Sequence, residues 1–240
     1  MHCFTRLALP VVSFTMCWLP VTVRASVGDA PQFKPALVGT NEDSVLERLR
    51  LAASRDKSSG SMVVQFNCEV NAAGKASNVA IWSGLGGSPP YVNAAKHALL
   101  AGRFEPAQVW GKPVAVSVIG TIFCIRREGA PEVRIFLNLD RRMLAEERNF
   151  VAAQLIGGCE ELNIVRESVR LFAAFDMDVV AEYRINSNGL AHDVRVVREA
   201  PKGVGQLLVK SLYRARFIPA FLDGKPVESS LSEHQYSHRR

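Results

Sequence analysis

The sequence predicts an α+β fold: two tandem ββαβ units, each a strand, a hairpin turn, a second strand, a helix and a final strand. Three observations predict it. The phrase FEPAQVWGKPV at Phe104–Val114 returns as FIPAFLDGKPV at Phe217–Val227, with seven of eleven positions identical and a constant offset of 113. Upstream of each phrase, apolar residues alternate with polar ones, the period of a half-buried strand. Between those strands and the phrase lies a stretch of helical period. A solenoid would need more and shorter repeats, so this is a duplicated domain.

In chain order, residues 1–25 come first and read as an export signal. No charge falls between Leu7 and Val23, and small Val23 and Ala25 precede Ser26, which suits cleavage after Ala25. Seventeen apolar residues with two prolines are short for a membrane span, and an uncleaved anchor is the alternative. Met16 beside Cys17 does not fit a lipoprotein site. Residues 26–59 form an N-terminal segment, with a short helix read between Asn41 and Arg55.

The first unit spans 60–128. In SMVVQFNCEV, Val64, Phe66, Cys68 and Val70 face one way and Gln65, Asn67 and Glu69 the other. NAAGKA turns the chain at Gly74, and SNVAIWS is the second strand. Ser88 and Pro89 suit a helix start, and the helix sets Val92, Ala95 and Leu99 on one face. Phe104 then plugs the open end of the core, Pro106 stops the helix, and Trp110-Gly111 turns into PVAVSVIGTIFCIR. Residues 129–177 form a connector, with EVRIFLNL a strand and RRMLAEERNFVAAQLIGG a helix; NIVRESVRLFAAFD reads as a further helix or the start of a strand. The second unit, 178–240, repeats the order: VVAEYRIN, a turn at Asn188-Gly189, AHDVRVVRE, a helix with Val204, Leu208 and Leu212 inward, then Phe217, the Asp223-Gly224 hairpin and the last strand.

Composition excludes several classes. A chain of 240 residues, 48% hydrophobic and 22% charged, is globular and not disordered. The net charge of +6 is spread along the chain, with no basic block that would track a phosphate backbone, so nucleic acid is not an expected partner. No GxSxG, HExxH or phosphate-loop pattern occurs, and no enzyme or cofactor is expected. His234 and His238 are four apart but lie in a polar terminal strand, so a metal is not expected either. His97 and His192 are read as surface residues, and Trp82 and Trp110 as packing residues near strand ends.

The units resemble the C-terminal domain of the TonB family of Gram-negative periplasmic proteins. VVQFNCEVNAAGKASNVAIWSG, AAKHALLAGRFEPA and GKPVAVSV carry the resemblance in the first unit, and AEYRINSNGLAHDVRVV, ARFIPA and DGKPV in the second. The resemblance implies a three-stranded antiparallel sheet with a helix across one face in each unit. It also implies a role in outer-membrane transport, with a transporter's extended peptide adding to the edge formed by the last strand. Two departures stand out. Residues 26–60 contain only Pro31 and Pro35, so the stiff proline-rich spacer of the energy transducers is missing. The N-terminal segment also reads as cleavable. The expected location is therefore the periplasm, or the inner membrane facing the periplasm if the segment stays uncleaved. An envelope structural or adaptor protein, with docked TonB-like domains and no energy-transducing role, is the alternative function.

Two sites are expected. Export leaves Cys68, Cys124 and Cys159. A crossover helix brings the last strand antiparallel beside the first, and Cys68 and Cys124 share the buried parity, so a disulfide between them is expected, with Cys159 the odd thiol. The strand Pro113–Ile125 is apolar on both faces and carries no charge between Lys112 and Arg126. Such an edge is an aggregation hazard that something must cover. The expected partner site is the backbone of Val116, Ser117, Val118, Ile119, Gly120, Thr121, Ile122 and Phe123, with Gly120 marking a bulge. The partner would be a protein or peptide, an outer-membrane transporter in the family's manner. A connector strand covering the same edge would exclude it.

Overall fold

The computed structural model describes residues 32–55, 60–83, 89–126, 130–158, 177–200 and 202–237. The signal segment with its cleavage site, Ser88, Cys159, His238 and the stretch NIVRESVRLFAAFD to Asp176 lie outside the described residues.

The chain begins with a short arm, β1 (Phe33–Lys34) and β2 (Leu37–Val38), then helix α1 (Val45–Arg55). α1 is amphipathic and buries Val45, Leu49 and Ala53 at helical spacing. β3 (Met62–Val70) and β4 (Ala76–Ser83) form a hairpin, and β3 alternates buried and half-buried residues along its whole length. Asn71 makes the turn: its Oδ1 accepts from the N–H groups of Ala73 and Lys75, both at 3.0 Å. Helix α2 (Pro89–Ala101) buries Tyr91, Ala95, Ala98 and Leu99. The shared phrase becomes β5 (Phe104–Glu105), β6 (Ala107–Val109) and β7 (Lys112–Val114), with β8 (Val116–Ile125) directly after it.

The connector holds β9 (Glu132–Phe136), α3 (Arg141–Ala145), β10 (Phe150–Val151) and β11 (Gln154–Ile156). The helix expected over RRMLAEERNFVAAQLIGG is thus confined to its first five residues. Asp140 caps them, its Oδ1 accepting from the N–H of Arg142 at 2.9 Å and of Met143 at 3.1 Å. The chain leaves the helix through Glu147 at φ 49°, and Phe150–Val151 and Gln154–Ile156 beyond it pair with other strands. Strand partners supplied by the rest of the fold override the helical period there. The second half contains β12 (Met177–Ile185), β13 (Ala191–Ala200), α4 (Gly205–Arg214), β14 (Phe217–Ile218), β15 (Ala220–Leu222), β16 (Lys225–Val227) and β17 (Ser229–Ser237).

The expected fold class needs correction. Strands hold 49% of the described residues and helices 23%, and the strands form five sheets. The molecule is mostly β, and two α+β domains of three strands each do not describe it. The first unit's hairpin and β8 belong to a six-stranded sheet, in order β14-β11-β8-β3-β4 with β9 also on β8. β11 comes from the connector and β14 from the second half, so this sheet crosses the boundary between units. The added strands arise because the arms and connector pair as well. β1 lies on β6 and β2 on β5, while β10 lies on β15 and β11 on β14.

Those arms are themselves a duplicated pair. Phe33 stands opposite Val109 and Phe150 opposite Leu222; Val38 stands opposite Phe104 and Leu155 opposite Phe217. The repeat therefore begins about thirty residues before the strand that reads most clearly, at QFKPALV in the first half and NFVAAQL in the second. Two apolar clusters result. One gathers Leu49, Phe66, Tyr91, Leu99 and Ile122, the other Ile185, Leu208, Leu212 and Phe217.

Candidate binding edges

The edge of β8 expected to take a partner is filled by the protein's own chain. On one side β3 pairs with β8 from Met62 opposite Cys124 to Val70 opposite Val116, with no register shift. On the other side β9 pairs along Thr121–Ile125, and β11 sets Leu155 opposite Ser117 and Ile156 opposite Val116. Peptide addition over Val116–Phe123 is therefore excluded, and that expectation is corrected. The reason is the one that made the edge suspect: an uncharged apolar strand requires cover, and the connector supplies it. Gly120 makes no bulge. A Cβ there would lie 2.6 Å from the Phe66 ring and 2.8 Å from the Phe136 carbonyl oxygen, so the glycine lets side chain and neighbouring strand close in. Buried Thr121 donates through Oγ1 to the Asn138 carbonyl at 2.8 Å, and Asn138 Nδ2 donates to the Phe150 carbonyl at 3.0 Å, which ties the cover down. Midway along β9, Arg134 pairs with Glu132 and Glu147. The hydrogen bond that Arg134 donates to Glu132 foremost, then both carboxylate charges, raise the Arg134 pKa above its ordinary value.

The expected disulfide is also corrected. Strand order and facing are as that expectation requires, and both sulfurs are buried. The register, however, sets Cys68 opposite Val118 and Cys124 opposite Met62. Six residues separate them along the ladder, roughly 20 Å at about 3.3 Å per residue, far beyond any disulfide span. Burial foremost, then the charge of Glu69, pushes the Cys68 thiol up to about 12.

β17 occupies in the second unit the place of β8 in the first. It pairs with β12 over nine consecutive positions, from Met177 opposite Ser237 to Ile185 opposite Ser229, without a shift. Among the described residues no strand lies on its other edge. The face of this sheet turned away from α4 is charged: Asp178 Oδ1 lies 2.8 Å from His234 Nε2, Asp178 Oδ2 3.1 Å from Arg198, and Glu182 2.6 Å from Arg195. In the first unit the corresponding face is mixed, with Gln65, Asn67 and Glu69 along β3 beside apolar residues of β4 and β8. It carries Ile119, Phe123 packed edge-to-face on Phe136 at 5.7 Å, and Trp82, whose indole N–H donates to Gln65 Oε1 at 2.6 Å.

Both tryptophans read as packing residues are in fact exposed, Trp82 at 40% and Trp110 at 54%. His97 is exposed on α2, and His192 Nδ1 lies 3.1 Å from Asp193 on the sheet surface. Among the described residues no group of three His, Cys, Asp or Glu could hold a metal ion. No described helix is long and apolar enough to cross a membrane. No protein-family model matches the chain, and no match was found among curated proteins or solved structures.

Proposed function

We propose that this protein is a periplasmic envelope adaptor: two repeated halves joined through one shared sheet, with no energy-transducing role, engaging a protein partner through the edge of β17. The observation that carries this reading is the contrast between two equivalent strands. The edge of β8 is completed by β9 and β11, whereas that of β17 has no strand on it among the described residues. The filled edge supports docking of the units over transport at the first unit. It also displays what such an edge accepts, an antiparallel extended segment held by backbone hydrogen bonds. Export, and with it the periplasm, rests on the uncharged run Leu7–Val23 and the small residues before Ser26. The missing proline-rich spacer argues against force transmission across the periplasm.

Titration of the isotope-labelled full chain with a synthetic extended peptide from the periplasmic end of an outer-membrane transporter tests the site. Amide shifts running along Ser229–Ser237 and lost in Ser232→Pro are the expected result. Shifts confined to the first unit, or none at saturating peptide, overturn the β17 assignment.

A further inference from the structure

β4 is the outermost strand of the six-stranded sheet, and among the described residues it pairs with β3 alone. Its eight residues, ASNVAIWS, contain no charge and no proline. The equivalent strand of the second unit, β13, carries Asp193, Arg195, Arg198 and Glu199. Charges on an edge are the usual protection against unwanted strand pairing. One duplicated strand has that protection and the other lacks it.

We propose that β4 is the edge through which two copies of this chain pair, antiparallel about a twofold axis at Ile81. In a twofold antiparallel pair the residues close to the axis lie near their own copies, so a charge there would meet a like charge across it. β9, β13 and β17 all carry charges; β4 does not. The irregularity of β4 lies near its start, where Asn78 sits at φ 50° and the β3 register shifts, which leaves Ala80–Ser83 in regular register. With Ile81 on the axis, Trp82 of one copy stands opposite Ala80 of the other, twice. Trp82 is 40% exposed, is held by its bond to Gln65, and lies on the same face as exposed Ala80. A large ring beside a small residue is the complementarity the pairing needs, and it gives the exposed indole its cover. The two sheets then become one continuous sheet. This inference is independent of the peptide site on β17.

Sedimentation velocity of the full chain over a concentration series tests it against Ala80→Glu. The fold accepts a charge at this position, because its equivalent in β13 is exposed Arg195. A reversible dimer is expected, weakened at least about tenfold by Ala80→Glu, the scale of a charge clash in a strand interface. Hydrogen exchange of the unaltered chain supplies a second reading: amides of Val79–Trp82 gain protection as concentration rises. A monomer at every concentration, a dimer unchanged by Ala80→Glu, or concentration-dependent protection on β13 or β17 in place of β4 overturns the proposal.

Discussion

Equivalent residues in the two units show which choices the backbone dictates. Gly74 and Gly189 sit at φ 76° and 73°, and a Cβ on either would fall 2.1 Å and 2.0 Å from the carbonyl oxygens of Phe104 and Phe217. Each glycine also bonds that phenylalanine through its own carbonyl, at 2.9 Å and 3.0 Å. Gly74→Ala combines left-handed strain with a backbone clash, so a loss of about 3 kcal/mol is expected in denaturant melts. Trp110 and Asp223 are the opposite case. Both lead a glycine turn at φ 53° and 50°, a conformation aspartate and asparagine tolerate better than an aromatic. Trp110→Asn should therefore raise stability by about 0.5–1 kcal/mol, visible as a higher thermal midpoint, since the ring it removes is mostly in solvent. Cys68 makes a chemical prediction. With its pKa near 12 the folded thiol stays protonated at neutral pH, and only above about 12 does the reactive thiolate dominate. Mass mapping after treatment with a thiol reagent at pH 7 should find Cys68 unmodified in the native protein and modified in denaturant.

Among the elements, the strands differ most in what covers their edges. β8 is buried between β3 and β9 because its sequence offers no charge to water, and the Thr121–Asn138–Phe150 chain of hydrogen bonds holds the cover in place. Thr121→Val keeps the shape but removes a buried donor, which leaves the Asn138 carbonyl without that bond. A cost of about 1–2 kcal/mol is expected, together with faster hydrogen exchange along β9 than along β3. The arms β1 and β10 are only two residues each, too short to persist without tertiary support. Their pairing with β6 and β15 extends each glycine hairpin by one strand.

At the scale of the molecule, one side chain joins the halves. Gln154, 2% exposed, accepts from the Ala36 N–H at 2.8 Å and donates to the Ala36 carbonyl at 2.9 Å. A side-chain amide thus completes the backbone of the first arm from the second, while β11 bridges β8 and β14. The position equivalent to Gln154 in the first arm is Leu37, so the clamp exists once. Gln154→Leu leaves a buried N–H and a buried carbonyl without partners, and a loss of about 2–4 kcal/mol is expected. Limited proteolysis should then cut near Ala36 before any site in β3 or β8. An unchanged cleavage order would show that the arm is held by β5 and β6 alone.

Local pattern along the chain suffices for the duplication, the hairpins at Gly74 and Gly189, the inward faces of β3 and of the helices, and the plugging phenylalanines Phe104 and Phe217. Each of these comes from residues close in the chain, where alternation, helical spacing and positive-φ turns leave few choices. Local pattern also marked β8 as an edge in need of cover. The identity of that cover was decided by tertiary structure alone, because pairing between distant strands is settled by backbone hydrogen bonds that carry no side-chain signature. For the same reason the period of NFVAAQL reads as helix while the segment lies in strands. The register of Cys68 against Val118 likewise depends on the whole ladder and not on parity, which fixes a face but not a position along it.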